Sequence, residues 1–164
     1  MDNRNQQYTR EPREFTETVV QINRVSKKTK GGNQIRFTAL VIVGDKKGRV
    51  AAGLGKAPDV VSGIQKAISY AKKRMITISM KGTTIPYQIL IKEGAAKVLL
   101  KPAPRGSGIV AGGPIRAVLE SAGIKDVVAK MLGTNNKASN VYATIKALKQ
   151  LTELYNKKGS PSGE

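Results

Sequence analysis

Apolar and polar positions alternate in short runs through the first fifty-odd residues and then switch to helical spacing, so the chain opens as strands followed by a helix. Residues Phe15 to Val25 are rich in Thr, Val and Ile, which favours an extended segment in which Val20, Ile22 and Arg24 share a side. Residues 35 to 43, IRFTALVIV, predict a second strand in which Ile35, Phe37, Ala39, Ile42 and Val43 offer apolar surface. Alternation blurs at its end, which implies fuller burial there. Arg49 to Leu54 predicts a third strand after the turn DKKG at 45 to 48, and an antiparallel meander is the simplest arrangement. Pro58 then suits a first helical position, and Asp59 adds negative charge at the electropositive end. Val61, Ile64, Ile68, Ala71 and Met75 recur as one apolar stripe, with Lys66, Lys72, Lys73 and Arg74 largely off it.

The pattern restarts after a seam near residues 81 to 84. Ile85, Tyr87, Ile89 and Ile91 alternate with Pro86, Gln88, Leu90 and Lys92 and predict a strand with one strongly apolar face, and Pro86 near its start argues for an edge or first position. Ala95 to Lys101 predicts a second strand. Glycines at 106, 108, 112 and 113 then precede Pro114, and Ile115, Val118, Leu119 and Ala122 keep helical spacing up to Gly123, a natural C-cap. Ile124 to Leu132 predicts another strand. Ser139 or Asn140 caps a last helix in which Val141, Ile145, Leu148 and Leu151 or Thr152 lie along one side. The expected fold class is α+β: two small α/β sandwiches, β-β-β-α over residues 15–82 and β-β-α-β-α over 83–155. A flexible leader (1–14) and a disordered tail (156–164) flank them. Each core is small enough to lean on its neighbour.

Charge narrows the function. The chain has 29 Lys and Arg against 11 Asp and Glu, a formal net charge of +18, and self-repulsion on that scale favours a polyanionic partner. The first eighteen residues are near neutral, whereas residues 19 to 58 carry Arg24, Lys27, Lys28, Lys30, Arg36, Lys46, Lys47, Arg49 and Lys56 against the single Asp45. Five of these cations surround the Gly31-Gly32 pair, whose glycines permit φ values that other residues resist. That segment reads as a cationic loop, and loop and basic helix together could approach one ligand surface. No run of 18 apolar residues predicts a spanning helix, and the start MDNRNQQYTREPREF lacks the apolar core of a secretory signal. The expectation is no membrane partner.

Aromatic residues are too few for a stacking platform: Phe15, Phe37, five tyrosines and no tryptophan. Phe37 reads as core, and Tyr70 as the better exposed candidate. Recognition should therefore rest on phosphates, 2′-hydroxyls and shape, as it does for double-stranded RNA. Catalysis is not expected. His and Cys are absent, which removes the usual base, the thiol nucleophile and every thiolate metal site. The carboxylates do not pair usefully along the sequence, so no cofactor and no metal are expected. The glycine-rich stretch is not a P-loop, because Pro114 and Ile115 follow Gly113, and its GxGxxxG spacing is not a dinucleotide fingerprint. It is open to two readings: tight packing of helix on sheet, or exposed amides with Arg105 touching an RNA phosphate.

The runs NRVSKKTKGGNQIRFTALVIVGDKKGRVAAGLGKA (23–57), IQKAISYAKKRM (64–75) and PAPRGSGIVAGGPIRAVLESAGIKDVVAKMLGT (102–134) resemble the bacterial form of ribosomal protein five of the small subunit. The match covers roughly residues 15 to 155 in the right order. The resemblance implies an N-terminal domain related to double-stranded-RNA-binding domains, without that fold's first helix, and a C-terminal domain of the family's own second-domain fold. It implies a non-catalytic cytoplasmic protein bound to 16S rRNA near the junction of head and body, beside the decoding region and the path by which mRNA enters. It also implies contacts with small-subunit proteins four and eight, and an influence on translational accuracy; a homo-oligomer is not expected.

By position, the family's protruding loop corresponds to Val25 through Gly32, and Ser26, Lys27 and Lys28 match the part associated with spectinomycin resistance. Expected RNA contacts are Arg24, Ser26, Lys27, Lys28, Lys30, Gly31, Gly32, Arg36, Lys46, Lys47, Arg49, Lys56, Lys72, Lys73 and Arg74. Arg105, Gly106, Gly108 and Arg116 are expected at a protein interface or at RNA. Two alternatives are a free-standing double-stranded-RNA-binding module or RNA chaperone, and a small-molecule kinase sharing the second-domain fold; the kinase lacks support from any phosphate-loop signature.

Overall fold

A computed structural model describes residues 14–157; the expected leader, apart from Glu14, and the expected tail from residue 158 lie outside them. In the first half, β1 (Thr16–Thr29), β2 (Gly32–Gly44) and β3 (Arg49–Ala57) form an antiparallel meander, α1 (Val60–Lys72) follows, and β4 (Ile76–Thr77) adds a short fourth strand beside β3. The second half contains β5 (Ile89–Glu93), β6 (Ala96–Pro102), β7 (Ile109–Val110), α2 (Gly113–Ala122), β8 (Val127–Leu132) and α3 (Lys137–Lys157). Its sheet runs β5-β6-β8-β7, with only β7 parallel to its neighbour. This is the expected β-β-β-α and β-β-α-β-α pattern, to which the two-residue strands β4 and β7 are added.

The expected cationic loop is not a loop. Pairing of β1 with β2 continues without a break from Gln21↔Leu40 to Thr29↔Gly32, so only Lys30 and Gly31 turn the chain. Gly32 takes the positive φ, +127°. The second-half strand also begins later than alternation implied. Ile85 is buried, but β5 starts at Ile89, because Pro86 interrupts the extended run. It is an edge strand. The last helix starts at Lys137, ahead of Ser139 and Asn140: Asn136 Oδ1 accepts from the Ala138 N–H at 3.0 Å, while the Asn140 side chain, wholly buried, donates back to Thr134 O and Asn136 O. That helix also continues two residues past the expected boundary at 155.

Asp59, not Pro58, begins α1: it is the N-cap, and its side chain accepts from the Ser62 N–H. The buried face of α1 is rotated from the expected stripe. Gly63, Ala67 and Ala71 are buried, whereas Val61 is 60 % exposed, and Ile64, Ile68 and Met75 flank the contact. The cause is the close approach of helix to sheet. A Cβ on Gly55 would stand 2.1 Å from Gly63 O, and one on Gly53 the same distance from Ala67 O. Only small residues fit on both sides of that contact.

The run Ala39–Val43 in β2 is almost wholly buried at every position, because both faces of the sheet are covered. Ala39, Val41 and Val43 face α1 with Ala51, Ala67 and Ala71. Leu40 and Ile42, with Val50 and Ala52, belong instead to a cluster continuous with Ile115 and Leu119 of α2 and Leu148 and Leu151 of α3. The β2–β3 turn docks on the end of α2: Lys46 N–H donates to Ser121 O and Gly48 N–H to Ala122 O, at 3.0 and 2.9 Å. Gly123 closes α2 with φ +88°, and a Cβ there would meet Lys46 O at 2.1 Å.

Gly55→Ala should lower unfolding stability by about 1–3 kcal/mol, because the new methyl must displace the α1 backbone. Gly31→Ala, with nothing within 4 Å of its added Cβ, should show no comparable loss. Urea denaturation of the two variants beside the parent measures the difference.

Candidate nucleic-acid interface

From Ile22 to Arg36 the β1–β2 hairpin extends beyond both covers, and every residue there except the half-buried Val25 is exposed. Opposed residues of an antiparallel pair share a face, so the register divides the expected contacts into two sets. Arg24 pairs with Phe37, Ser26 with Ile35 and Lys28 with Asn33; these continue the face covered by α1. Lys27 pairs with Gln34, Val25 with Arg36, and Thr38 with both Asn23 and Lys56; these lie on the opposite face. The hairpin and the basic helix therefore do not present all their cations to one surface. Lys66, Lys73 and Arg74 accompany the α1 side, where the Arg74 guanidinium lies 4.2 Å from the Tyr70 ring centroid. Phe37 is half-buried and outside both apolar clusters.

On the side away from α1, Lys27, Arg36 and Lys56 converge on an open concavity of about 260 Å³, lined also by Val25, Ser26 and Gln34. No carboxylate lines it, and none of the three cations enters an ion pair among the described residues. Cross-strand spacing holds the charges close without a counter-ion among the described residues, an arrangement suited to an anionic ligand. Lys46 and Lys47 are exposed at the β2–β3 turn, yet that turn's backbone is committed to α2.

Two expected contacts are engaged within the chain. Arg49 donates from Nε to Asp45 at 2.7 Å and from Nη2 to Glu14 at 3.0 Å, and its guanidinium lies 5.2 Å from the Phe15 ring centroid. Lys72 sits 3.4 Å from Glu17 and 5.8 Å from the same ring. Burial would raise the Asp45 pKa, but the Arg49 side chain and the N–H groups of Arg49 and Lys47 outweigh it and hold the carboxyl below its ordinary value.

In the glycine-rich stretch neither reading of Gly106 and Gly108 holds as stated. Both have positive φ, +91° and +72°, and a Cβ on either would meet nothing within 4 Å, so conformation rather than packing requires glycine. Their amides are not free for a phosphate: both donate to Asp126 Oδ1 at 3.0 Å. Tight packing falls instead at Gly112, where a Cβ would stand 2.5 Å from Met131 Cε. Arg105 is exposed on the loop that Asp126 holds. Arg116 donates to Ile109 O at 2.7 Å and lies 4.0 Å from Glu120, so it braces β7. Asp126, itself only 4 % exposed, is the organising residue that sequence reasoning passed over; its sole signal was a carboxylate directly before an apolar strand.

The Thr83 hydroxyl first, then the Gly108 and Gly106 amides and the nearby Arg105 charge, hold the Asp126 carboxyl below its ordinary value against the opposing effect of burial. A depressed folded pKa stabilises the fold above the unfolded value of about 3.9, and the contribution is lost as pH falls through the folded pKa. Asp126→Asn should therefore be less stable than the parent at pH 7, with the gap closing below about pH 4. Denaturation midpoints of both proteins across pH 3 to 7 test this; a pH-independent gap would contradict it.

Comparison with known families bears on this geometry. Residues 15–79 match the N-terminal domain of ribosomal protein S5, and residues 91–157 match its C-terminal domain. The two matches take in the meander with its projecting hairpin, α1, and the second sheet from Ile91 of β5 onward with α2 and α3. The chain belongs to the ribosomal protein S5 family, a structural, non-catalytic, rRNA-binding component of the cytoplasmic small ribosomal subunit.

Proposed function

We propose that the chain anchors folded 16S rRNA chiefly through the sheet face carrying Lys27 and Arg36 of the hairpin and Lys56 of β3, with Arg24, Ser26, Lys28 and Lys30 meeting RNA on the other face and at the turn. The observation that carries this reading is the convergence on one concavity of three cations that, among the described residues, have no ion pair and no carboxylate beside them in the lining. The mechanism is electrostatic: each cation neutralises a phosphate and releases counterions, and the two-faced hairpin sits between RNA elements and fixes their relation. Residues 15–82 form the RNA-facing unit, and residues 83–155 present Arg105 on its clamped loop to a protein neighbour. In this reading the site lies near the head–body junction beside the decoding region and the path of incoming mRNA. Small-subunit proteins four and eight are the neighbours, and accuracy depends on the contact at Arg105. The family resemblance supports that address, and the outward position of Arg105 supports the protein contact.

Lys27→Ala/Arg36→Ala/Lys56→Ala should fold like the parent, since all three side chains stand at the surface. Its association with 16S rRNA should weaken, and the slope of log affinity against log salt should fall by roughly 2 to 3, one phosphate contact per residue. Subunits carrying the variant should release it at lower salt in a wash. An unchanged salt slope would remove the face from the RNA contact.

A further inference from the structure

Next to the cationic concavity, between the hairpin base and the start of α3, lies a second opening of about 460 Å³. Its polar lining comes from Gln21 and Asn23 of β1, Thr38 of β2, and Asn135, Asn136 and Lys137 at the head of α3. Leu54, 47 % exposed, supplies an apolar wall. Asn23, Thr38 and Lys56 form one cross-strand row, so Lys56 ends the cationic concavity where Thr38 begins the notch. Asn23 lies four residues from Lys27 along β1, or about 13 Å.

The hydrogen-bonding capacity of the notch is largely unspent. Gln21 Nε2 donates to Asn23 Oδ1 at 2.9 Å, and Asn136 Oδ1 accepts from the Ala138 N–H. Among the described residues, Gln21 Oε1, Asn23 Nδ2, the Thr38 hydroxyl, both ends of the Asn135 amide and Asn136 Nδ2 have no partner. Both donors and acceptors are therefore on offer, uncharged, beside an aliphatic wall. A phosphate is the wrong occupant, since Lys137 is the single cation among the described residues of the lining, and a stacked base is wrong too, since none of those residues is aromatic. A ribose edge fits: it presents aliphatic C–H groups and a 2′-hydroxyl that both donates and accepts.

We propose that this notch is a ribose subsite, which takes the 2′-hydroxyl edge of the same folded RNA whose phosphates lie on Lys27, Arg36 and Lys56. The inference rests on the RNA-binding reading of the hairpin and adds to it: the cations hold any polyanion of suitable shape, and the amides tell RNA from DNA.

The test uses the full chain and three 16-base-pair probes of one sequence: an RNA duplex, a DNA duplex, and an RNA duplex carrying 2′-deoxy substitutions. Affinities are read by fluorescence anisotropy at several salt concentrations. The parent should bind the RNA duplex tighter than either deoxy probe. Asn23→Ala/Asn135→Ala should lose about 10-fold on the RNA duplex, two neutral hydrogen bonds' worth, with little change on DNA and an unchanged salt slope. Asn135→Ala alone, which removes no side-chain hydrogen bond among the described residues, should show part of that loss and guards against a folding artefact. Equal binding of RNA and DNA by the parent, or a double variant that weakens both equally or neither, overturns the subsite. The Lys27/Arg36/Lys56 triple variant separates the two readings: if it flattens the salt slope while the asparagine variants are silent, only the notch is lost.

Discussion

Ala39 to Val43 of β2 cannot be buried from one side. Alternate residues of this strand point to opposite faces of the sheet, and all five are almost fully withdrawn from solvent, so the sheet needs two covers. Helix α1 supplies one, and α2 with α3, from the other half of the chain, supplies the second. The first half therefore lacks a complete core without the second. The backbone reinforces the dependence. Ser121 O and Ala122 O, at the end of α2, accept from Lys46 and Gly48 in the β2–β3 turn, and a buried carbonyl deprived of such a partner costs about 1–3 kcal/mol. The contact is close enough that a methyl at Gly44 would stand 2.1 Å from Ser121 O. The hairpin from Ile22 to Arg36 is what lies beyond both covers, and its projection follows from where they stop.

Much of this was legible along the chain because it depends on side-chain type at fixed spacing. The meander, the α2 stripe of Ile115, Val118, Leu119 and Ala122, and its glycine cap at 123 all appear where periodicity put them. The failures share a cause, which is that the deciding partner is distant in sequence. The α1 stripe was drawn through large residues, but Gly53 and Gly55 in β3 select Gly63 and Ala67 instead. Ile85 is buried without being in a strand, so alternation reported burial and missed conformation. The two-residue β7 exists only through its pairing with β8. At the site, charge marked the hairpin, yet reading it as a loop hid the parity that sends Lys27 and Arg36 to one face and Arg24 and Lys28 to the other. Asp126 was invisible as a clamp because its amide partners lie 18 and 20 residues upstream.

Placement of the scarce carboxylates explains why the hairpin stays charged. Asp45 and Glu14 meet Arg49, Glu17 meets Lys72, and Glu93 meets Lys146. Three of these acids neutralise cations near Phe15, where the base of the meander packs on the end of α1, and the fourth joins β5 to α3. None reaches the projecting strands. Apart from Asp45–Arg49, whose carboxylate is buried, these are surface pairs of the sort that contribute about 0–1 kcal/mol each, so their consequence lies more in what they leave uncompensated. Lys27, Arg36 and Lys56 share one concavity, and like charges within about 8 Å of one another are only partly screened at physiological ionic strength. Lys27 and Arg36 stand on a thin, two-stranded projection open to solvent on both faces, with Lys56 beside it on β3. Folding is thus completed by the apolar contacts of the body, while the cations of the hairpin are left without an ion pair among the described residues.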